Sequence, residues 1–173
     1  MSRIKWTDRR FNFDFPPGIY PEMIERIRGT PARLEELLAG LPADALTAQI
    51  DGRWSVQENA GHLLDLESLV SQRIDEYLAG NSTLHAADMS NRKTYEATHN
   101  DVPVDSILKA FRTARHEMVR RLESFDGDIF ARAALHPRLN VQMRLVDMLF
   151  FQAEHDDYHL ARISEIKQLL AKK

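Results

Sequence analysis

Between Leu145 and Leu170 the apolar and small residues fall at Leu145, Met148, Leu149, Gln152, His155, His159, Ile163, Ile166 and Leu170, close to the 3.6-residue period of an α-helix. Such a helix buries one face along its whole length, so it must lie against other long helices rather than in solution. Two of the residues on or beside that inward face are histidines. His155 and His159 are separated by one helical turn, which stacks their Cβ atoms about 5–6 Å apart. Two imidazoles placed that way can hold one metal ion, as in the two-His helices of zinc enzymes.

The rest of the chain divides at its turn residues into three further helical stretches. Tyr20-Pro21 opens the first, with proline suited to the first helical turn. Gly29-Thr30-Pro31 interrupts it, Thr30 serving as a cap and Pro31 as a restart, and the piece ends near Gly40. Ser55 and Glu58 form a capping box that starts a helix at Val56; Gly80-Asn81 stops it near Ala79. A third helix runs from Pro103 with Ile107, Ala110, Phe111, Ala114, Met118 and Leu122 inward, and Lys109, Arg112, Arg115, Arg120 and Arg121 on the solvated side. The fourth begins near Val141. Residues 81–102 carry no strong period beyond a short helical turn around Lys93 to Thr98, and no stretch alternates in the manner of a strand.

Four long helices in 173 residues predict an all-α fold, a four-helix bundle. The connection of about 20 residues between the second and third helices is long enough to run back along the bundle, which predicts up-down-down-up order. The second and fourth helices are then antiparallel, and His62, near the start of the second, comes level with His155 and His159. Residues 1–18 form an amino-terminal arm and 19–173 the bundle. Trp6, Phe11, Phe13 and Phe15 in the arm need burial, against the bundle or a partner subunit.

Composition narrows the chemistry. Cysteine is absent, so disulfides, thiolate nucleophiles and Cys-type zinc sites are excluded, and a metal must be held by His, Asp or Glu. A net charge of −3 speaks against nucleic acid as a partner. Met1 to Phe15 has no apolar signal core, and no run reaches the roughly 18 apolar residues of a membrane span. The expectation is a cytoplasmic protein with no membrane partner.

Four segments in order resemble the DinB-like superfamily of four-helix bundles. They are Gly29-Thr-Pro-Ala-Arg-Leu34, Trp54-Ser-Val-Gln-Glu-Asn-Ala-Gly-His-Leu63 with Asp65 and Glu67, Ala87-Asp-Met-Ser-Asn91, and Arg144-Leu-Val-Asp-Met-Leu149 running into Ala153-Glu-His-Asp-Asp-Tyr-His-Leu-Ala-Arg162. The resemblance covers the chain from about Ile19. It implies a three-His metal site at His62, His155 and His159, a homodimer, and bound zinc or nickel, with iron also accepted by such ligands. It implies metal-dependent hydrolases or S-transferases that use a low-molecular-weight thiol, acting on a small-molecule substrate. Tyr158 stands where the family often has His and is not counted as a ligand.

A three-imidazole site with an open position can acidify water for hydrolysis or deprotonate a thiol for transfer. Lacking cysteine, the chain must take any sulfur nucleophile from a co-substrate. Asp65, one turn beyond His62, and Asp156, beside His155, are candidates to orient an imidazole. Glu58 is a candidate general base whose capping role already accounts for it, and Asp88 is a loop residue with a capping or a functional role. Trp54 is expected to staple the second helix into the core. His85, His99, His116 and His136 fit no ligand spacing and are expected on the surface or in loops. The alternative function is a non-catalytic, metal-binding or structural dimer, favoured by a site without an open position or adjoining pocket.

Overall fold

The computed structural model describes residues 3–172. Its helices are α1 (Tyr20–Arg28), α2 (Thr30–Leu38), α3 (Ala43–Thr47), α4 (Val56–Ala79), α5 (Arg92–Glu96), α6 (Val104–Glu123) and α7 (Leu145–Leu170), with a hairpin of β1 (Ala133–His136) and β2 (Val141–Arg144) before α7. The bundle comprises the broken pair α1–α2, then α4, α6 and α7. Its directions can be read from side-chain pairs. Arg26 bonds Glu154 and Lys167 bonds the Leu37 carbonyl, so α1–α2 and α7 run together. Tyr77 bonds the Met143 carbonyl while His62 meets His155, so α4 opposes α7. Glu67 pairs with Arg115 and Asp75 with Arg121, so α6 is parallel to α4. The order is up-down-down-up, and residues 80–103 make the long return that parallel neighbours need.

Local chemistry accounts for the ends of α4. The Ser55 hydroxyl accepts from the Glu58 amide at 3.0 Å while the Glu58 carboxylate accepts from the Ser55 amide at 2.7 Å, a complete capping box. Gly80 closes the helix in the left-handed region at φ 72°, where a side chain would be strained. At the α1–α2 break the expectation fails in detail. Gly29, not Thr30, stands at the N-cap. The buried Thr30 hydroxyl donates instead to Asp156 at 2.7 Å.

The apolar core has two clusters, one built on Ile27, Val70, Ile74, Met118, Leu122 and Leu149, the other on Leu34, Val56, Leu63, Phe111 and Ile163. A polar layer separates them. Arg115, expected on the solvated face of its helix, is fully buried there. Its guanidinium donates to Glu67 at 2.7 Å, to Asp156 at 2.6 Å and to the Ile27 carbonyl at 2.9 Å, tying four helical segments at one level. Burial opposes its charge, but the two carboxylates outweigh burial and hold its pKa above the ordinary value. Ala110, expected inward, is exposed.

Two further expectations are corrected. Where no strand is expected, residues 133–144 form the hairpin, and α7 begins at Leu145 rather than near Val141. The strands are four residues each, too short to establish an alternating pattern, and a parallel bridge from Thr83 to Leu135 secures them to the crossover. The arm wraps its own bundle. Phe11 packs edge-on against Phe151, and Arg3 donates to the Tyr158 carbonyl at 2.6 Å. No helix among the described residues is long and apolar enough to cross a membrane.

Candidate metal centre

His62 projects from the first third of α4; His155 and His159 project from the middle of α7. Antiparallel packing brings one ligand nitrogen of each within 4.8 Å of the other two. All three residues are buried, between 4% and 8% exposed.

Two of the three rings are oriented by a polar partner, each a different one. His159 Nδ1 lies 2.8 Å from Asn59 Oδ1. The Asn59 amide nitrogen donates to the Trp54 and Ser55 carbonyls, at 3.3 and 2.7 Å, so its oxygen is the atom that faces the ring. The neutral ring must therefore carry its proton on Nδ1, which leaves a lone pair on Nε2. His62 Nδ1 is 2.9 Å from the Thr94 hydroxyl, delivered by α5 of the crossover. His155 turns Nε2 toward His159 Nε2 at 3.3 Å, and its buried Nδ1 has no hydrogen-bond partner.

The electrostatics keep the trio uncharged. Burial, with a further contribution from His155, pushes His62 down to about 3. Burial and then the Arg138 and Arg115 charges push His155 down to about 3, and burial with its two neighbours takes His159 well below the ordinary range. Protons thus do not compete for these nitrogens near neutrality. Three neutral imidazoles with converging ring nitrogens fit a borderline divalent ion such as zinc or nickel.

The carboxylates near the trio serve other groups. Asp65 accepts from His99 Nε2 at 2.8 Å. Asp156 belongs to the Arg115 layer, and Glu58 to the cap, where Gln49 also reaches it. The Asp88 carboxylate caps its own loop, accepting from the Ser90 and Arg92 amides at 2.9 and 3.0 Å. Of the histidines expected on the surface or in loops, His85 and His116 are exposed, whereas His99, in the crossover, and His136, at the end of β1, are buried.

The crossover is pinned on α4 beside the trio. Lys93 donates to the Asp65 carbonyl at 2.9 Å, and Gln57 donates to the His99 and Val102 carbonyls. The His99 ring occupies the space where a Cβ on Gly61 would lie, so only glycine permits this approach.

Above the histidines opens a cavity of about 350 Å³. Trp54 forms one wall rather than a staple in the core, its ring 4.7 Å from that of His62. Trp6 of the arm forms another, edge-on to His155 at 5.0 Å. Phe151, Leu66 and Met148 supply apolar surface, and Tyr158 lines the same space. Sequence reasoning missed Asn59, Thr94, Trp6, His136 and Arg138 here. Asn59 alone had a local signal, lying three residues before His62 on the same helix.

The DinB superfamily matches over residues 26–163, a span that contains all three histidines. Among solved structures, YfiT from Bacillus subtilis, a probable metal-dependent hydrolase with an unusual four-helix bundle topology, superposes with a TM-score of 0.81 over 94% of both chains at 17% identity. The mycothiol-dependent maleylpyruvate isomerase superposes with a TM-score of 0.66 at 11% identity, over 86% of this chain and 60% of its own length. At these identities the likeness is one of fold. No curated protein matches the sequence.

Proposed function

The chain belongs to the DinB superfamily, and from that premise we propose that it is a metal-dependent enzyme acting on a small molecule, with His62, His155 and His159 holding one divalent ion. The observation that carries the proposal is the convergence of three imidazole nitrogens within 4.8 Å at the floor of an open cavity. A structural ion is normally closed in by four protein ligands, whereas a catalytic one keeps a position for substrate. Here three side chains converge and all three line the cavity, so an ion that they held would be reachable from it. An ion in that position supplies Lewis acidity and lowers the pKa of a water or thiol that reaches it.

The chain's own residues prepare that chemistry. Asn59 and Thr94 fix the ring planes of His159 and His62 and hold their outer nitrogens in place. Trp6, Trp54 and Phe151 exclude bulk water, which strengthens electrostatic interactions inside. Without cysteine, the protein uses water for hydrolysis or takes a low-molecular-weight thiol for S-transfer. The YfiT and maleylpyruvate isomerase likenesses support these two outcomes respectively. We place the protein in the cytoplasm as a homodimer, with zinc or nickel as the ion, both of which suit imidazole ligands.

Elemental analysis of untagged protein tests the reading, with the His62→Ala/His155→Ala/His159→Ala variant alongside. About one equivalent of metal in the parent and little in the variant is expected. An empty parent that also ignores added zinc and nickel sinks the proposal. Ester hydrolysis without thiol, against thiol-dependent loss of an electrophile, then separates the two reactions.

A further inference from the structure

The cavity has a second polar end. It lies on the hairpin turn, 136–140, where His136 and Arg138 line the wall. His136 is 2% exposed. Its Nδ1 accepts from the Leu139 amide at 3.2 Å, so the neutral ring must carry its proton on Nε2. That Nε2 is buried and has no hydrogen-bond partner; the Nη2 of Arg138 is in the same condition. With His155 Nδ1, these are the unpartnered buried side-chain nitrogens and oxygens among the described residues, and all three residues line this one cavity.

Both atoms at the hairpin are donors, and both lack an acceptor. A buried donor without a partner costs about 1–3 kcal/mol, so two in one wall signal an acceptor that the protein does not itself supply. The charge around them is predominantly positive. Lys5, Arg73 and Arg138 line the cavity against a single carboxylate, Asp88, which is committed to Ser90 and Arg92. Arg73 is spent on the His85 carbonyl, at 2.9 and 2.8 Å, and meets no carboxylate. Arg138 has no ion-pair partner among the described residues; its guanidinium lies over the Phe151 and Trp6 rings at 5.5 and 5.9 Å. The field has a visible effect on His136, which burial, with Arg73 and Arg138, pushes down to about 4.

We propose that His136 and Arg138 form an oxyanion subsite that takes a carboxylate or phosphate-type group of the ligand whose reacting end lies at the three histidines. This rests on the reading of the cavity as a substrate site, and it specifies the substrate class: a small compound with an apolar body, matched to Trp6, Phe151 and Met148, and an anionic terminus. A guanidinium meets either oxyanion through two parallel N–H donors, and the imidazole adds a third. The hairpin presents the pair rigidly, because Leu84 donates to the Leu135 carbonyl at 3.0 Å and Leu135 donates to that of Ser82 at 2.9 Å.

Both tryptophans of the chain line the cavity, so their fluorescence reports occupancy directly. The experiment titrates untagged full-length protein, as purified and after dialysis against a chelator, with phenylacetate, phenylphosphonate and the neutral isostere phenylacetamide. At least one anion is expected to bind about tenfold or more tighter than the amide in both preparations, and the stronger anion identifies the oxyanion class. Arg138→Gln should remove that advantage and leave amide binding and metal content as in the parent; His136→Phe should weaken the anion without altering metal content. The proposal is overturned if anions and amide bind alike, if neither anion binds, if Arg138→Gln leaves the preference intact, or if the preference vanishes with the metal. A parent that holds no metal yet still prefers the anion would overturn the metal reading and leave the subsite standing.

Discussion

Asn59 acts on a histidine one hundred positions away in the sequence. Its amide is committed to two carbonyls at the start of α4, so its oxygen meets His159 Nδ1–H and leaves the opposite lone pair for the trio. Replacing Asn59 with Ala should lower metal affinity by about 10–100-fold. Chelator competition measures this, and unchanged affinity would show that the ring holds its orientation without help. The histidines themselves were legible in the sequence: a one-turn spacing is a local signal, and the length of the crossover brought His62 level with it. Arg115 was not legible. Its helix carries charged residues on several sides, and its partners Glu67 and Asp156 lie 48 and 41 residues away, beyond any periodicity window. Asp65 misled in a similar way. Three residues past His62 it shares a helix face, yet the buried His99, which has no signature in sequence, claims its carboxylate.

Among the elements, α4 and the crossover make one functional unit. The capping box and glycine stop gave the limits of α4 correctly because those signals are short-range and specific. The crossover has little regular structure of its own, and its place is set by side chains: Thr94 on His62, Lys93 on the Asp65 carbonyl, His99 on Asp65. Gly61 is the residue that lets it lie so close. Gly61→Ala would favour the helix intrinsically but must displace His99. Overpacking of this kind costs about 1–3 kcal/mol. The expected result is a lower Tm together with weaker metal binding, since Thr94 moves with the segment. A variant as stable as the parent, with metal affinity intact, would mean that the crossover does not set the position of His62. The hairpin escaped detection for a plain reason. Its strands owe their pairing to a turn and to Leu135, not to alternation.

For the molecule as a whole, four buried histidines link stability to pH. His62 and His155 titrate at about 3, His136 at about 4, and His159 well below its ordinary value, while the unfolded chain takes up these protons near 6.5. The folded pKa values are depressed, so the unfolded state binds more protons as pH falls below about 6.5 and stability declines in that direction. Each such group contributes a slope of about 1.4 kcal/mol per pH unit until its folded pKa is reached. In metal-free protein, urea midpoints should be level above neutrality and drop between pH 6.5 and 5, where carboxylates are still ionised. Flat midpoints over that interval would contradict the burial of these rings. A last consequence concerns the order in which the parts assemble. The cavity wall needs Trp6 from the arm and His155 from α7, and the arm can dock only on a helix that is synthesised last among the described elements. On the ribosome, the aromatic arm must wait, uncovered, for more than a hundred residues to follow it. Closure of the cavity is therefore a finishing event of folding, and a chaperone that shields the growing chain would find Trp6, Phe11 and Phe13 still uncovered.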